Sequence, residues 1–216
     1  SLISPRPAPK NSGGIQLKWK ITETHDIDEL ELDRCSQTLG LAFENYALMH
    51  HFIDPENRAR RISEYQDTFL RKVGMRAGHV WSADGGVAVA VWTAPDLADP
   101  ATVFGPLAEK FTHLAGSRAS IMQASEAVMA RFRPQEPCWF LGTVGVHPDH
   151  RGRGLGRAVI EAGLARAAKE GFPAFLETSD ETNVAIYERL GFAVTSVYDL
   201  PFGGPRTYSM LKGGSR

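Results

Sequence analysis

Apolar and polar residues along the chain form two kinds of pattern, and each predicts one type of element. Alternation predicts a strand over residues 14–22. A short buried strand is predicted over residues 173–178, and two final strands over residues 192–199 and 206–211. Residues 79–95 are typical of a hairpin whose turn is Asp84-Gly85-Gly86. Residues 138–146 are almost all apolar, and they predict a central strand that is buried on both faces.

Helical segments are indicated by apolar spacing and by capping residues. Asp26 and Glu29 have the spacing of a capping box. The apolar stripe after them is Ile27, Leu30, Cys35, Leu39 and Phe43. Asp54-Pro55 predicts the start of a second helix, with Pro55 at its first position. The apolar side of this second helix is Ile62, Tyr65, Phe69 and Val73.

Three further helical segments follow along the chain. Residues 99–133 predict helices that are interrupted near Gly116. Residues 154–171 predict another helix, and residues 181–190 predict one that ends at Gly191. Strands and helices then alternate in the order expected of a mixed α/β (α+β) domain, with a twisted mixed central sheet flanked by helices.

Composition agrees with one globular domain. The chain has 216 residues, of which 43% are hydrophobic, and a net charge of −1. Residues 1–14 are rich in Pro, Ser and Gly and predict a flexible extension, which leaves residues 15–216 for the domain. The near-neutral charge argues against a nucleic acid partner.

The sequence shows neither a run of 18 apolar residues nor a signal peptide, so we expect a cytoplasmic protein with no membrane partner. Cys35 and Cys138 are too few for a disulfide scaffold and lack zinc-ligand spacing, and we expect two buried thiols in a reducing compartment. No metal is implied by the spacing of candidate ligands.

A glycine-rich turn stands between the apolar strand and the helix at residues 154–171. Its sequence is Arg151-Gly152-Arg153-Gly154-Leu155-Gly156. Glycines let backbone N–H groups approach a phosphate at the positive end of a helix, and arginine side chains match phosphate oxygens. The turn lacks the Gly-Lys-Ser/Thr of a Walker loop and the G-x-G-x-x-G of a dinucleotide fingerprint. It fits the coenzyme A pyrophosphate loop, although a strand-to-helix turn without a ligand would look similar.

The surrounding residues add a family resemblance to this pattern. The turn follows Gly145-Val146-His147-Pro148, and residues 183–192 read NVAIYERLGF. Together these motifs resemble the GCN5-related N-acetyltransferase (GNAT) superfamily of acetyl-CoA-dependent acyltransferases, over residues 15–211. Blocks such as WFLGTVGVHPDHRGRGLG and GPRTYSM are similar to the puromycin N-acetyltransferases of that superfamily, which acetylate the free α-amine of an aminonucleoside antibiotic. The likeness is strongest from Trp139 onward.

The resemblance implies a donor site for acetyl-CoA. In the family, a bulged central strand diverges from its neighbour, and pantetheine pairs with it in the gap. Carried over to this chain, the strand residues of the donor site are Val144, Gly145 and Val146, with the Val146 amide as oxyanion donor. The residues implied for the pyrophosphate are Arg151, Gly152, Arg153, Gly154, Leu155, Gly156 and Arg157. Asn183 is implied to bond the pantetheine arm.

The resemblance also implies the residues that move protons. Tyr187 is the expected general acid for the thiolate of CoA. Glu177 is a candidate base that takes the amine proton directly or through a water, although it also fits a carboxylate that only pairs or caps. Tyr46 and Phe43 are expected to line an aromatic acceptor pocket. The implied activity is acetylation of a small-molecule primary amine by a monomer or homodimer. A protein or peptide N-acetyltransferase and a non-catalytic acetyl-CoA-binding module are the alternatives.

Overall fold

The computed structural model describes residues 18–97 and 99–213, and it contains a seven-stranded sheet. The strands are β1 Ile21–Glu23, β2 His79–Ala83, β3 Ala88–Thr93, β4 Trp139–Val146, β5 Ala174–Thr178, β6 Ala193–Asp199 and β7 Arg206–Lys212. Their order is β1-β2-β3-β4-β5-β7-β6, and every neighbouring pair is antiparallel except β4 and β5, which are parallel. The mixed sheet flanked by helices confirms the predicted fold class.

Helices connect the strands and cover both faces of the sheet. They are α1 Glu29–Phe43, α2 Ala47–Phe52, α3 Arg58–Thr68, α4 Met75–Ala77, α5 Pro100–Phe104, α6 Ala108–Ala115, α7 Ala119–Ala130, α8 Leu155–Glu170 and α9 Glu181–Arg189. A π-helical segment, Phe69–Gly74, joins α3 to α4. The predicted interruption near Gly116 and the predicted ends of α8 and α9 at Gly171 and Gly191 are confirmed, each with a glycine at positive φ.

Strict alternation along β2 and β3 separates two hydrophobic cores. Trp81, Ala90 and Trp92 face a core built with α8 and α9, whereas Val89 and Val91 face a second core built with α1 and the π-helical segment. Because successive side chains of a strand point to opposite faces, the two cores lie on opposite sides of the sheet. A third cluster joins α2, α3, α6 and α7 to the chain just after β6.

Two predicted helix starts are wrong. Helix α1 begins at Glu29, and its cap is Asp28, whose carboxylate accepts from the Glu31 amide at 2.8 Å. Asp26 belongs to a preceding 3₁₀ turn, and Leu30 is exposed rather than part of the apolar stripe. Leu30 precedes the buried Cys35 by five positions, which is about 140° around the helix at about 100° per residue, so it faces away from the core.

Asp54-Pro55 does not open the second helix, because α3 begins only at Arg58. The Asp54 carboxylate accepts instead from the Ser117 amide at 2.7 Å and from the Glu56 amide at 2.8 Å. These hydrogen bonds lower the pKa of Asp54 to about 2. A long-range partner therefore replaces the helix cap that the local sequence predicts.

Of the strand predicted over residues 14–22, the described part begins at residue 18, and there the strand β1 covers Ile21–Glu23. The predicted extension at residues 1–14 and the next three residues lie outside the described part of the chain. Cys35 is buried as expected, but Cys138 is only half-buried. Burial of Cys138 is incomplete because it precedes β4 at the edge of the core.

Candidate active site

A β-bulge in the middle of β4 shapes the candidate site. Val91 pairs with Thr143 and Trp92 pairs with Leu141, so Gly142 has no partner on β3. Gly142 lies against the ring of Phe69, and the Thr143 hydroxyl donates to the Gln66 side-chain oxygen at 3.0 Å. Both residues therefore point to the α3 face, as expected when one extra residue enters a strand.

The bulge changes which residues of β4 face each core. Before it, Trp139 and Leu141 point into the core under α8, and beyond it Val144 and Val146 take that side. Phe140, Val144 and Val146 are only half-buried, and Gly142 is exposed. The prediction that this strand is buried on both faces is thus wrong, because one side of β4 borders an opening in the sheet.

That opening is a gap between β4 and β5. The parallel pairing joins Trp139–Leu141 to Ala174–Leu176 and extends no further, although both strands continue. The His147 amide donates to the Val87 carbonyl at 2.8 Å on the β3 side. Because N–H directions alternate along a strand, the amides of Val144 and Val146 point away from β3 and into the gap.

The glycine-rich turn joins the end of β4 to the start of α8. Gly152 and Gly154 have φ of +76° and +82°, and no atom lies within 4 Å of a Cβ built at either position. Arg151 and Arg153 are exposed. The amides in the first turn of α8 have no hydrogen-bond acceptors within the helix. These free N–H donors, the positive end of the helix dipole and the two arginine side chains together suit a diphosphate.

Other residues of this loop have structural partners. Leu155 is buried in the core, so only its backbone faces the loop. A Cβ at Gly156 would lie 3.1 Å from a Val146 methyl, which brings the start of α8 close to the end of β4. The Arg157 guanidinium pairs with Glu161 at 2.7 Å on the exposed side of α8.

Tyr187 and Asn183 lie one turn apart on α9. Tyr187 is buried, and its ring meets Phe192 edge-on at 6.0 Å. Burial raises the pKa of the Tyr187 hydroxyl above its ordinary range, and the neighbouring Tyr46 and Asp180 raise it further. Within residues 18–97 and 99–213 this hydroxyl makes no hydrogen bond. It is therefore a protonated donor at neutral pH.

Glu177, near the end of β5, forms a bidentate ion pair with Arg133. The two nitrogen–oxygen distances are 2.9 and 3.1 Å, and the same guanidinium reaches Glu126 at 3.2 Å. Burial raises the pKa of Glu177 and the charge of Arg133 opposes that rise, with burial the larger effect. Arg133 also lies 5.4 Å over the ring of Phe140, next to the gap.

Tyr46 joins the start of α2 to the end of β5. Its hydroxyl oxygen accepts from the Ser179 amide at 2.7 Å and lies 3.4 Å from the Thr178 hydroxyl. Phe43 meets the Tyr46 ring edge-on at 5.2 Å and packs against the hydrophobic clusters below it. The structure thus brings Tyr46 to the same end of β5 as Glu177.

Several residues of this site are not predicted by the sequence patterns described above. Arg133 and Glu126 come from the helical segment before β4, and no local motif marks them. Thr178 is the hub at the end of β5, since its hydroxyl accepts from the Asn183 amide group at 3.3 Å. Gly142, a glycine inside an apolar strand, was the one available signal for a bulge.

A depression of about 410 Å³ opens beside this end of β5. It is lined by Ser179, Glu181, Asp199, Arg206 and Tyr208. Across the described ranges, no cluster of three or more His, Cys, Asp or Glu side chains is arranged to bind a metal ion. No helix in those ranges combines the length and apolar character needed to cross a membrane.

Comparison with known sequences finds a family model that matches part of the chain. Residues 108–192 match the Acetyltransferase (GNAT) family, a segment that runs from α6 to the end of α9. The chain is 33% identical over 107 residues to a mycothiol acetyltransferase of Streptomyces coelicolor, covering 48% of this chain and 30% of that protein. For the mycothiol acetyltransferase of Thermobispora bispora, the values are 36% over 112 residues, covering 47% and 36%. The similarity thus spans about a third of these relatives.

Solved structures match the fold over almost the whole chain. A Corynebacterium glutamicum protein described as histone acetyltransferase HPA2 and related acetyltransferase superposes with a TM-score of 0.71 at 23% identity, covering 92% of this chain and 97% of that one. A polyamine N-acetyltransferase of Drosophila melanogaster gives 0.58 at 17% identity, covering 90% and 100%. The chain therefore has the fold of the GNAT acetyltransferases.

Proposed function

From the GNAT acetyltransferase fold and the family match over residues 108–192, we propose that this protein transfers the acetyl group of acetyl-CoA to a primary amine of a small molecule. The observation that carries the proposal is the gap between β4 and β5. The Val144 and Val146 amides point into this gap, the glycine-rich turn follows the same strand, and Tyr187 on α9 is the protonated donor that the proposal uses.

The donor half of the site fits acetyl-CoA, which supplies an acetyl group activated as a thioester. The turn from Arg151 to Gly156 would bind the diphosphate through the first-turn amides of α8. Val144 and Val146 would pair with the pantetheine arm as an added strand, and Asn183 would bond that arm from α9. The Val146 amide would stabilise the negative charge that develops on the thioester oxygen.

Two side chains, Glu177 and Tyr187, would transfer the protons of the reaction. The amine must be neutral to attack, and Glu177 would accept its proton directly or through a water. Arg133 orients that carboxylate with two hydrogen bonds. Tyr187 would donate its proton to the departing thiolate, and its raised pKa preserves that proton at neutral pH. Direct transfer between the two bound substrates needs no covalent intermediate with the protein.

The helices that precede β4 bear on whether the acetyl acceptor is a small molecule or a protein. Helix α6 packs on α3, α7 packs on α2, and α5 packs on the π-helical segment. The ring centroids of Phe111 on α6 and Tyr65 on α3 lie 4.6 Å apart. This cover supports a small-molecule amine over a protein substrate, which needs an open groove. Puromycin is the specific acceptor that we propose, on the strength of the sequence blocks that resemble its acetyltransferases. The Drosophila relative in fold forms N-acetylagmatine, which makes agmatine a second amine to test.

The experiment measures thiol release from acetyl-CoA with puromycin, agmatine or a short peptide with a free N-terminus as acceptor. Product mass is checked for one added acetyl group. We expect turnover with a small amine and none with the peptide. Turnover with the peptide alone would favour a protein or peptide N-acetyltransferase. CoA binding without turnover on a broad amine panel would support a non-catalytic module, and absence of CoA binding would contradict the proposal.

A further inference from the structure

Ser179 directly follows β5, beyond the ladder that joins β5 to β4. The Trp139 amide donates to the Pro173 carbonyl at 2.9 Å, so the main-chain groups of alternate residues from Pro173 onward face β4. Ser179 belongs to this series and lies past the last paired residue, Leu176. By the same alternation its amide lies on the side of the chain that faces β4, past the residues that pair.

Tyr46 supplies the acceptor that β4 no longer offers. The Ser179 amide donates to the Tyr46 hydroxyl oxygen at 2.7 Å, and Tyr46 lies outside the sheet at the start of α2. A buried amide without a partner is costly, and such an amide would otherwise favour closing the two strands together. The Tyr46 ring is itself supported edge-on by Phe43.

The same hydroxyl is connected to the donor side of the gap. It lies 3.4 Å from the Thr178 hydroxyl, and that hydroxyl accepts from the Asn183 side chain at 3.3 Å. A chain of polar contacts thus runs from α2 through the end of β5 to α9. Burial is the main cause of the raised pKa of Tyr187 on α9, and electrostatic interaction with Tyr46 raises that pKa further.

We propose that Tyr46 is a positioning residue that maintains the gap between β4 and β5, by binding the Ser179 amide, and so raises the affinity for acetyl-CoA. This inference rests on the proposed function and deepens it. It differs from a role in lining the acceptor pocket, because it acts on the donor before any acceptor binds. The expected consequence is a change in CoA affinity measured with CoA alone.

The test compares Y46F with Y65F by calorimetric titration of CoA without acceptor. Tyr65 lies on the neighbouring α3, and in the part of the chain that the structure describes its hydroxyl makes no hydrogen bond. Loss of one hydrogen bond should raise the Kd of Y46F for CoA about fivefold. Y65F should bind like the wild type. An unchanged or tighter Kd in Y46F, with only the acceptor KM raised, would overturn the proposal.

Amide exchange gives a readout that does not depend on CoA. In ¹⁵N-labelled protein, the Ser179 amide should be protected in the wild type and should exchange about fivefold faster in Y46F. If Y46F does not fold, the exchange rate of the Ser179 amide in the wild-type protein is the test. An amide that exchanges as fast as an unprotected amide overturns the proposal. A wild type that binds no CoA would overturn the proposed function, whereas wild-type binding with an unaffected Y46F overturns only the role of Tyr46.

Discussion

At the residue scale, the gap joins side chains whose protonation states are set by different surroundings. Burial is the main cause of the raised pKa of Tyr187, and no cation opposes it. Glu177 experiences the same effect of burial, but the two hydrogen bonds and the charge of Arg133 oppose it. Tyr187 therefore stays protonated at neutral pH, whereas the carboxyl group of Glu177 has a pKa that burial raises and Arg133 lowers. This separation is what an acid and a base in one site require.

Replacing Tyr187 by Phe tests the acid. The ring and its contact with Phe192 remain, so folding and the Kd for CoA should change little. Without the proton donor, kcat should fall about 100-fold. Steady-state rates and CoA titration measure both quantities. An unchanged kcat in Y187F would show that Tyr187 is not the acid.

Replacing Arg133 by Gln tests the base through pH. Removal of the guanidinium removes the charge that lowers the pKa of Glu177, so that pKa should rise. A base acts only when deprotonated, and the acidic limb of kcat should therefore move to higher pH. Profiles of kcat against pH at saturating substrates measure the shift. The control is Arg131→Gln, at an exposed position of the same turn. A limb that does not move in R133Q would exclude Glu177 as the titrating base.

At the element scale, close packing sets the position of α8 over the sheet. A Cβ built at Gly163 would lie 2.3 Å from the indole nitrogen of Trp92, which is fully buried on β3. The absence of a side chain at this point lets α8 approach the strands. The N-terminus of α8, which carries the glycine-rich turn, is thereby placed at the end of β4.

Replacing Gly163 by Ala should destabilise the protein, because neither the helix nor the buried indole has room to move. Overpacking of this kind costs about 1–3 kcal/mol. Urea denaturation measures the loss, and adding Trp92→Phe to the G163A variant should restore part of it. If G163A alone is as stable as the wild type, α8 does not depend on this contact for its position.

At the scale of the whole molecule, the sheet consists of two antiparallel parts. Strands β1 to β4 form one part, and β5, β7 and β6 form the other. Within the sheet, main-chain hydrogen bonds join these two parts through the short parallel pairing of Trp139–Leu141 with Ala174–Leu176. A ligand in the gap would contact both parts, so its binding should be linked to the stability of the whole fold.

Thermal denaturation with CoA tests this linkage. At 100 times its Kd, a ligand that binds only the folded state adds about 2.7 kcal/mol to the free energy of unfolding. For a chain of this size we expect Tm to rise by about 5–10 °C. Pantetheine, which lacks the diphosphate, should give a smaller rise at the same concentration. Equal shifts for both compounds would contradict a role for the glycine-rich turn.

The sequence by itself determined the features that depend on local patterns. The hairpin around Asp84, the glycine-rich turn before α8 and the end of α9 at Gly191 follow from the preferences of neighbouring residues. Such preferences act over a few positions, so they can be identified without the fold. The same holds for the strands predicted over residues 173–178, 192–199 and 206–211, which correspond to β5, β6 and β7.

Only the tertiary structure decided the features that depend on residues distant along the chain. Asp54 binds the Ser117 amide, Arg133 binds Glu177, and Tyr46 binds the Ser179 amide, which is 133 positions away. Buried polar groups must find partners wherever the fold brings them, and no local pattern records that choice. The gap between β4 and β5 is likewise absent from any local pattern, because both strands continue past the three residue pairs that join them.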